Sequence, residues 1–146
     1  MPRTIEIPLY IIAIQEDGFH VFLEVKVNGH KLFMLLDTGA SRTVFDLETI
    51  RGINSEIVME ENEDKATGLG SDSVDNYVAI IDQFEIGELC INHFETGIID
   101  LSHVNSSYSR IEIQAIAGVL GSDILVRYDG VINYKKKTLK LTKGKK

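Results

Sequence analysis

The sequence predicts an all-β protein with one or two short helices. Short runs of β-branched and aromatic residues, separated by turn residues, have the composition and partial period-two alternation of strands. Two dipeptides, Asn28-Gly29 and Asp129-Gly130, are hairpin turn signals. Strand patterns do not alternate with helical ones, and there is no heptad repeat. The length of 146 residues suits a single domain spanning 1–146 with one core.

The first half of the chain is interpreted as a series of strands followed by one helix. Residues 4–7 alternate and run into the apolar stretch 9–14, and residues 19–27 form a longer strand pattern. Residues 31–36 are almost continuously apolar, which favours a strand buried on both faces. Asp46 is a good N-cap for a short helix that ends near Gly52.

The second half predicts more short strands and a second helix. Strand patterns cover residues 78–86, 89–91 and 94–99, and the polar stretch 102–109 is interpreted as a surface loop. The apolar run 115–121 ends in a glycine, after which Ser122 is expected to cap a short helix over 123–128. Two further strands are predicted over 131–134 and 138–141, and residues 142–146 are expected to form a disordered basic tail.

Charge and composition exclude several function classes. The formal net charge is −7, and because seven lysines lie in residues 135–146, the first 134 residues carry a balance of −14. An acidic body does not favour binding to nucleic acid through phosphate contacts, and we interpret the lysines as a solvated end. A single thiol, Cys90, excludes an internal disulfide and a cysteine-rich metal site. With no membrane-spanning or signal-like segment visible, we expect a cytoplasmic protein.

The most informative residue is Asp37, a lone carboxylate at the end of a buried apolar strand. It is followed by Thr38, Gly39, Ala40 and Ser41. An ionisable group at such a position is costly unless it is paired or functional. Gly39 permits a sharp turn, and the Thr38 hydroxyl is expected to lock the loop through a hydrogen bond. The alternative interpretation is a tight turn closed by a bond to the aspartate side chain, with no catalytic role.

Two segments together resemble the signatures of retropepsin-like aspartic proteases of bacterial and cellular type. The first is Leu35-Leu36-Asp37-Thr38-Gly39-Ala40-Ser41 with Val44-Phe45 close behind, and the second is the stretch 117–125, Ala-Gly-Val-Leu-Gly-Ser-Asp-Ile-Leu. About eighty residues separate them, and a glycine-rich candidate flap lies between, in the order that the family has. The resemblance covers residues 19–141 and implies a closed retropepsin-like β-barrel with a flap hairpin.

The resemblance implies an aspartic endopeptidase that hydrolyses polypeptides with a water activated by two carboxylates. Because the chain has one Asp-Thr-Gly, the pair would need Asp37 from each chain of a homodimer. Thr38 and Gly39 complete the implied catalytic loop, without metal or cofactor. Ala40 and Ser41 are implied substrate contacts, as are Gly68, Leu69 and Gly70 of the flap, although residues 67–70 are also compatible with a plain hairpin tip.

A different class of function stays open on the sequence. A peptide-binding or dimerisation module with the same fold would need no turnover, and the sequence does not decide whether two Asp37 carboxylates meet. The chain also departs from viral members of the family, which have an aspartate at the position of Ser41 and a shorter connection than residues 101–114. Substrate preference is therefore not transferable.

Overall fold

A computed structural model describes residues 3–16, 18–53, 57–61 and 77–144. Within them, the chain forms three short helices and a set of mostly antiparallel strands. The strands are β1 (Arg3–Pro8), β2 (Tyr10–Ala13), β3 (Phe19–Val27), β4 (His30–Leu36), β5 (Val44–Asp46), β6 (Met59–Glu61), β7 (Tyr77–Ile86), β8 (Leu89–Ile99), β9 (Gly118–Leu120), β10 (Val131–Asn133) and β11 (Thr138–Lys143). The helices are α1 (Leu47–Ile53), α2 (Ser102–Arg110) and α3 (Ser122–Arg127).

Six strands close into a barrel. Strands β3, β4, β9, β5, β8 and β7 are neighbours in that order, and β3 also pairs with β7. Strands β2 and β6 extend the sheet beyond this closed part, while β1, β11 and β10 form a separate three-stranded sheet. The predicted all-β class with short helices is confirmed. The turn at Asn28-Gly29 joins β3 and β4 as predicted, with both residues at positive φ.

Strand β9 lies between β4 and β5 and determines the geometry of this region. It runs parallel to β4 and antiparallel to β5. A side chain at Gly118 would place its Cβ 2.3 Å from the carbonyl oxygen of Val44. Glycine is therefore required for the close approach of β9 to β5.

Two apolar clusters stabilise the fold. The larger one fills the barrel, where Phe45 and Phe84 are fully buried with their rings 5.3 Å apart. The second lies between the sheet and α2 and contains Phe22, Leu101, Tyr108 and Ile116. Strand β4 contributes to both clusters, since Met34 belongs to the first and Phe33 packs against the second. This confirms that apolar side chains pack on both faces of β4.

The predicted surface loop over residues 102–109 is wrong, because these residues form α2. The segment is polar, and Tyr108 is its one buried side chain. The helix forms in its tertiary context, where Tyr108 packs against Phe22 with the ring centroids 5.5 Å apart. At its start, the Asp100 carboxylate accepts a hydrogen bond from the backbone N–H of Ser102, which lowers the pKa of Asp100.

The start of α3 and the end of the chain also differ from the prediction. Ser122 is the first residue of α3, and Gly121 occupies the N-cap position without a side-chain cap. The cap is a glycine because a Cβ there would lie 2.7 Å from the carbonyl oxygen of Ala40. At the other end of the chain, residues 142 and 143 belong to β11, where they pair with β1, so the predicted disordered tail over 142–146 is wrong for these two residues.

Candidate active site

Asp37 lies at the exposed end of β4, in a turn closed by its own side chain. The backbone N–H of Gly39 donates to Asp37 Oδ1 over 2.9 Å, and the N–H of Ala40 donates to the Asp37 carbonyl over 3.1 Å. In the part of the chain that the structure describes, no hydrogen bond reaches Asp37 Oδ2. The turn therefore holds one carboxylate oxygen and leaves the other available.

The Asp37 loop is fixed to the segment that joins β9 to α3. The backbone N–H of Asp37 donates to the carbonyl of Leu120 over 3.0 Å, and the N–H of Ser122 donates to the carbonyl of Ala40 over 2.8 Å. These bonds bring together the two segments whose resemblance to the family signatures was noted in the sequence. The position of the carboxylate therefore depends on residues far along the chain.

Thr43 links the same two segments through its side chain, and sequence reasoning missed it. It is 2% exposed. Its hydroxyl donates to Asp123 Oδ1 over 2.7 Å and accepts the backbone N–H of Gly121 over 3.0 Å. The Thr96 hydroxyl in turn donates to the carbonyl of Thr43 over 2.9 Å. Because 80 residues separate Thr43 from Asp123, no local sequence pattern reveals this pair.

A cavity of about 350 Å³ opens beside the Asp37 carboxylate. Its wall combines polar and apolar surface, and Asp37, Thr38, His20 and the hydroxyl of Tyr134 supply polar groups. The other lining residues are Phe19, Val21, Leu35, Leu36 and Ile132. Concave sites that combine apolar side chains with a few polar groups are typical of ligand pockets, and an extended peptide has side chains suited to such a site.

His20 and Tyr108 form a hydrogen-bonded pair next to this cavity. His20 Nδ1 lies 2.9 Å from the Tyr108 hydroxyl oxygen, and the rings meet edge to face at 5.8 Å. Burial raises the pKa of Tyr108, and the negative charge of Asp37 raises it further. The phenol is therefore kept in its protonated form. No local sequence pattern indicates the pair, because its members are 88 residues apart.

The predicted site residues fall into two groups. Asp37, Thr38, Gly39, Ala40 and Ser41 form one continuous loop, in which all but the half-buried Ala40 are exposed. In the described residues the Thr38 hydroxyl makes no hydrogen bond, so the expected lock is supplied instead by the Asp37 side chain and the backbone. The predicted flap residues Gly68, Leu69 and Gly70 lie outside the described residues. The flanking strands β6 and β7 pair antiparallel.

The described ranges contain neither a metal-binding cluster nor a membrane-spanning helix. No group of three or more histidine, cysteine, aspartate or glutamate side chains there is arranged to hold a metal ion. None of the helices in those ranges has the length and apolar character needed to cross a membrane.

The chain is similar to known aspartic proteases in sequence and in fold. The model of the aspartyl protease family matches residues 23–124, whereas no curated protein sequence gives a significant match. The fold is similar to that of a retropepsin-like aspartic protease from Rickettsia conorii, with 14% identity, a TM-score of 0.56 and coverage of 97% of this chain and 92% of that one.

Two further structures have the same fold. One is the retroviral protease-like domain of Ddi1 from Leishmania major, with 17% identity, a TM-score of 0.55 and coverage of 82% of this chain and 86% of that one. The other is the EIAV protease in complex with an inhibitor, with 18% identity, a TM-score of 0.51 and coverage of 80% and 93%. The predicted retropepsin-like barrel is thereby confirmed. Together with the family match over most of its length, this shows that the chain belongs to the aspartyl protease family.

Proposed function

We propose that the protein is an aspartic endopeptidase that works as a homodimer, with one Asp37 from each chain in a single active site. The observation that carries the proposal is the Asp37 turn, in which Gly39 holds one carboxylate oxygen and the other is available at a cavity. Membership of the aspartyl protease family supports the reaction type. The chain holds one Asp-Thr-Gly, which supports the need for a second copy.

In this mechanism the two carboxylates share one proton across a water molecule. Two like charges at such short distance do not both ionise, so the pair titrates in two separate steps. The ionised Asp37 takes a proton from the water as the water attacks the peptide carbonyl carbon. The protonated Asp37 donates to the carbonyl oxygen, and the tetrahedral intermediate then collapses with a proton passed to the leaving amine.

The surface around the cavity supports association with a second copy. Phe19 and Tyr134 line the cavity and are 67% and 63% exposed. Val131, on the nearby strand β10, is 50% exposed. Large apolar side chains that cluster at an exposed site are typical of interaction surfaces. A symmetric dimer would cover these side chains and bring the two Asp37 loops together.

The first test replaces Asp37 with asparagine. We expect Asp37→Asn to lower kcat/KM for a cleaved peptide by at least about a hundredfold, because the amide cannot shuttle the shared proton. The matched control is Asp129→Asn, which removes a carboxylate at an exposed turn whose positive φ asparagine tolerates. Equal turnover by Asp37→Asn and wild type would exclude Asp37 from the mechanism.

The second test addresses the dimer. After exchange in an equal mixture of wild type and Asp37→Asn, about a quarter of the dimers should be fully wild type and active. Specific activity should also fall on dilution, since dissociation removes sites. Activity that is independent of concentration and equal to the wild-type share would show that each chain is catalytically complete. Peptide binding without cleavage by any variant would favour the non-catalytic binding module instead.

A further inference from the structure

The pair formed by His20 and Tyr108 has no part in the mechanism above, although His20 lines the same cavity as Asp37. The pair comes from two elements, β3 and α2, and joins them by one hydrogen bond of 2.9 Å. His20 is half-buried and Tyr108 is 5% exposed. The contact between them therefore restricts an imidazole ring at the edge of a pocket.

The 2.9 Å contact fits either atom as the donor, and we assign the Tyr108 hydroxyl as the donor to His20 Nδ1. The Tyr108 hydroxyl is protonated, and His20 Nδ1 is its hydrogen-bond partner in the described part of the chain. A buried hydroxyl that donates to Nδ1 leaves the imidazole with its hydrogen on Nε2. In the imidazolium form both nitrogens carry hydrogens, so Nε2 is a donor in either case. The cavity is thus offered an N–H donor by His20 and a carboxylate by Asp37.

The remaining walls define what the cavity accepts. Leu35, Leu36 and Ile132 suit an apolar stem, and the His20 donor suits an acceptor at its end. The acceptor should be neutral, because the negative charge of Asp37 reaches this pair and would repel a carboxylate. A glutamine side chain has such a stem and such an acceptor, whereas methionine has the same length without a strong acceptor.

Resting on the proposed endopeptidase function, we propose that His20 is a specificity-determining residue that selects substrates with glutamine beside the scissile bond. Tyr108 acts as its positioning residue, because it fixes the ring and leaves Nε2 as the donor. Glutamate at the same position is disfavoured. A neutral hydrogen bond of this kind corresponds to a preference of about three- to tenfold for glutamine over methionine.

The test uses three pools of labelled decapeptides that are random except at one central position, fixed as glutamine, methionine or glutamate. Cleavage products are sequenced by mass spectrometry, so the glutamine-to-methionine ratio is obtained at each position around the cut. We expect wild type to prefer glutamine at one flanking position and His20→Phe to lose that preference. His20→Gln should retain part of it, because its amide is an N–H donor of similar reach.

Two variants separate specificity from general damage. His30→Phe makes the same chemical change at an exposed histidine of β4, and its preference should equal that of wild type. Tyr108→Phe keeps the ring that packs on His20 but frees Nδ1. Its glutamine preference should fall, and the nitrogen chemical shifts of His20 should show a mixture of tautomers. Equal glutamine-to-methionine ratios in wild type and His20→Phe at every position would overturn the proposal.

A binding arm keeps this proposal distinct from the proposed function. Affinities of the same three pools for Asp37→Asn, with and without His20→Phe, are measured by fluorescence anisotropy. One outcome separates the two proposals: wild type cleaves no pool, the Asp37→Asn protein binds the glutamine pool best, and His20→Phe removes that difference in affinity. In that case the endopeptidase proposal fails and the role of His20 stands. If the Asp37→Asn protein binds no pool, or binds the glutamine and methionine pools with equal affinity, the role of His20 is overturned.

Discussion

Replacing Thr43 with valine should destabilise the protein by about 3 kcal/mol. Valine has nearly the same shape as threonine but neither a donor nor an acceptor. The backbone N–H of the buried Gly121 would lose its partner, which costs about 1–3 kcal/mol. Loss of the hydrogen bond from Thr43 to the Asp123 carboxylate would cost a further amount, about 1.5–3 kcal/mol for a bond to a charged group. The lower end of this range applies because Asp123 is partly exposed and can be rehydrated.

Urea unfolding followed by circular dichroism gives the free energy of unfolding for each variant. Thr43→Ser is the matched control, because it keeps the hydroxyl and loses one methyl group, for which about 1 kcal/mol is expected. A double-mutant cycle with Asp123→Asn should show that the two changes are less than additive if the residues interact. A Thr43→Val protein within about 0.5 kcal/mol of wild type would refute this account of the link.

Two further predictions concern packing and titration. Gly118→Ala should destabilise the protein by about 1–3 kcal/mol or more, since the Cβ would overlap the Val44 carbonyl. Gly52→Ala in α1 should instead stabilise the protein by about 0.5–1 kcal/mol, because a Cβ at Gly52 would have no heavy atom within 4 Å. Equal urea midpoints of unfolding for the Gly118→Ala and Gly52→Ala proteins would contradict this prediction. The raised pKa of Tyr108 adds stability that is fully present below the ordinary tyrosine pKa of about 10 and is lost as pH rises above it. Tyr108→Phe should therefore weaken the alkaline loss of stability measured by urea unfolding, while Tyr134→Phe, at an exposed tyrosine, should not.

The features that the sequence predicted well are those determined by neighbouring residues. The pattern over residues 19–27 predicted β3 with its observed bounds, because alternation and β-branching are properties of the strand itself. Asp46 was expected to begin a helix, and its Oδ2 does accept the backbone N–H of Thr49 in the first turn of α1. The turn over Asp37 and Gly39 is equally local. Its side-chain bond is the one that the non-catalytic alternative also required.

The features that the sequence did not predict depend on contacts between distant segments. Helix α2 has few apolar residues, so its presence follows from the packing of Tyr108 and Leu101 against the barrel wall. The Asp46 carboxylate serves this arrangement as well, since its Oδ1 accepts the backbone N–H of Leu101 just before α2. The same helix delivers Tyr108 to His20. A segment that appears to be a polar loop therefore holds the His20 ring at the candidate site.

The position of Asp37 itself depends on the second glycine-containing segment. Hydrogen bonds from Asp37 to Leu120 and from Ser122 to Ala40 hold the loop from outside. Strand β9 can supply these partners only because Gly118 lets it approach β5 closely. The second segment contributes no proposed catalytic side chain, yet without it the Asp-Thr-Gly turn would be an isolated loop at a strand end. This is the physical reason why either motif alone is a weak indication of the family, whereas the two together are specific.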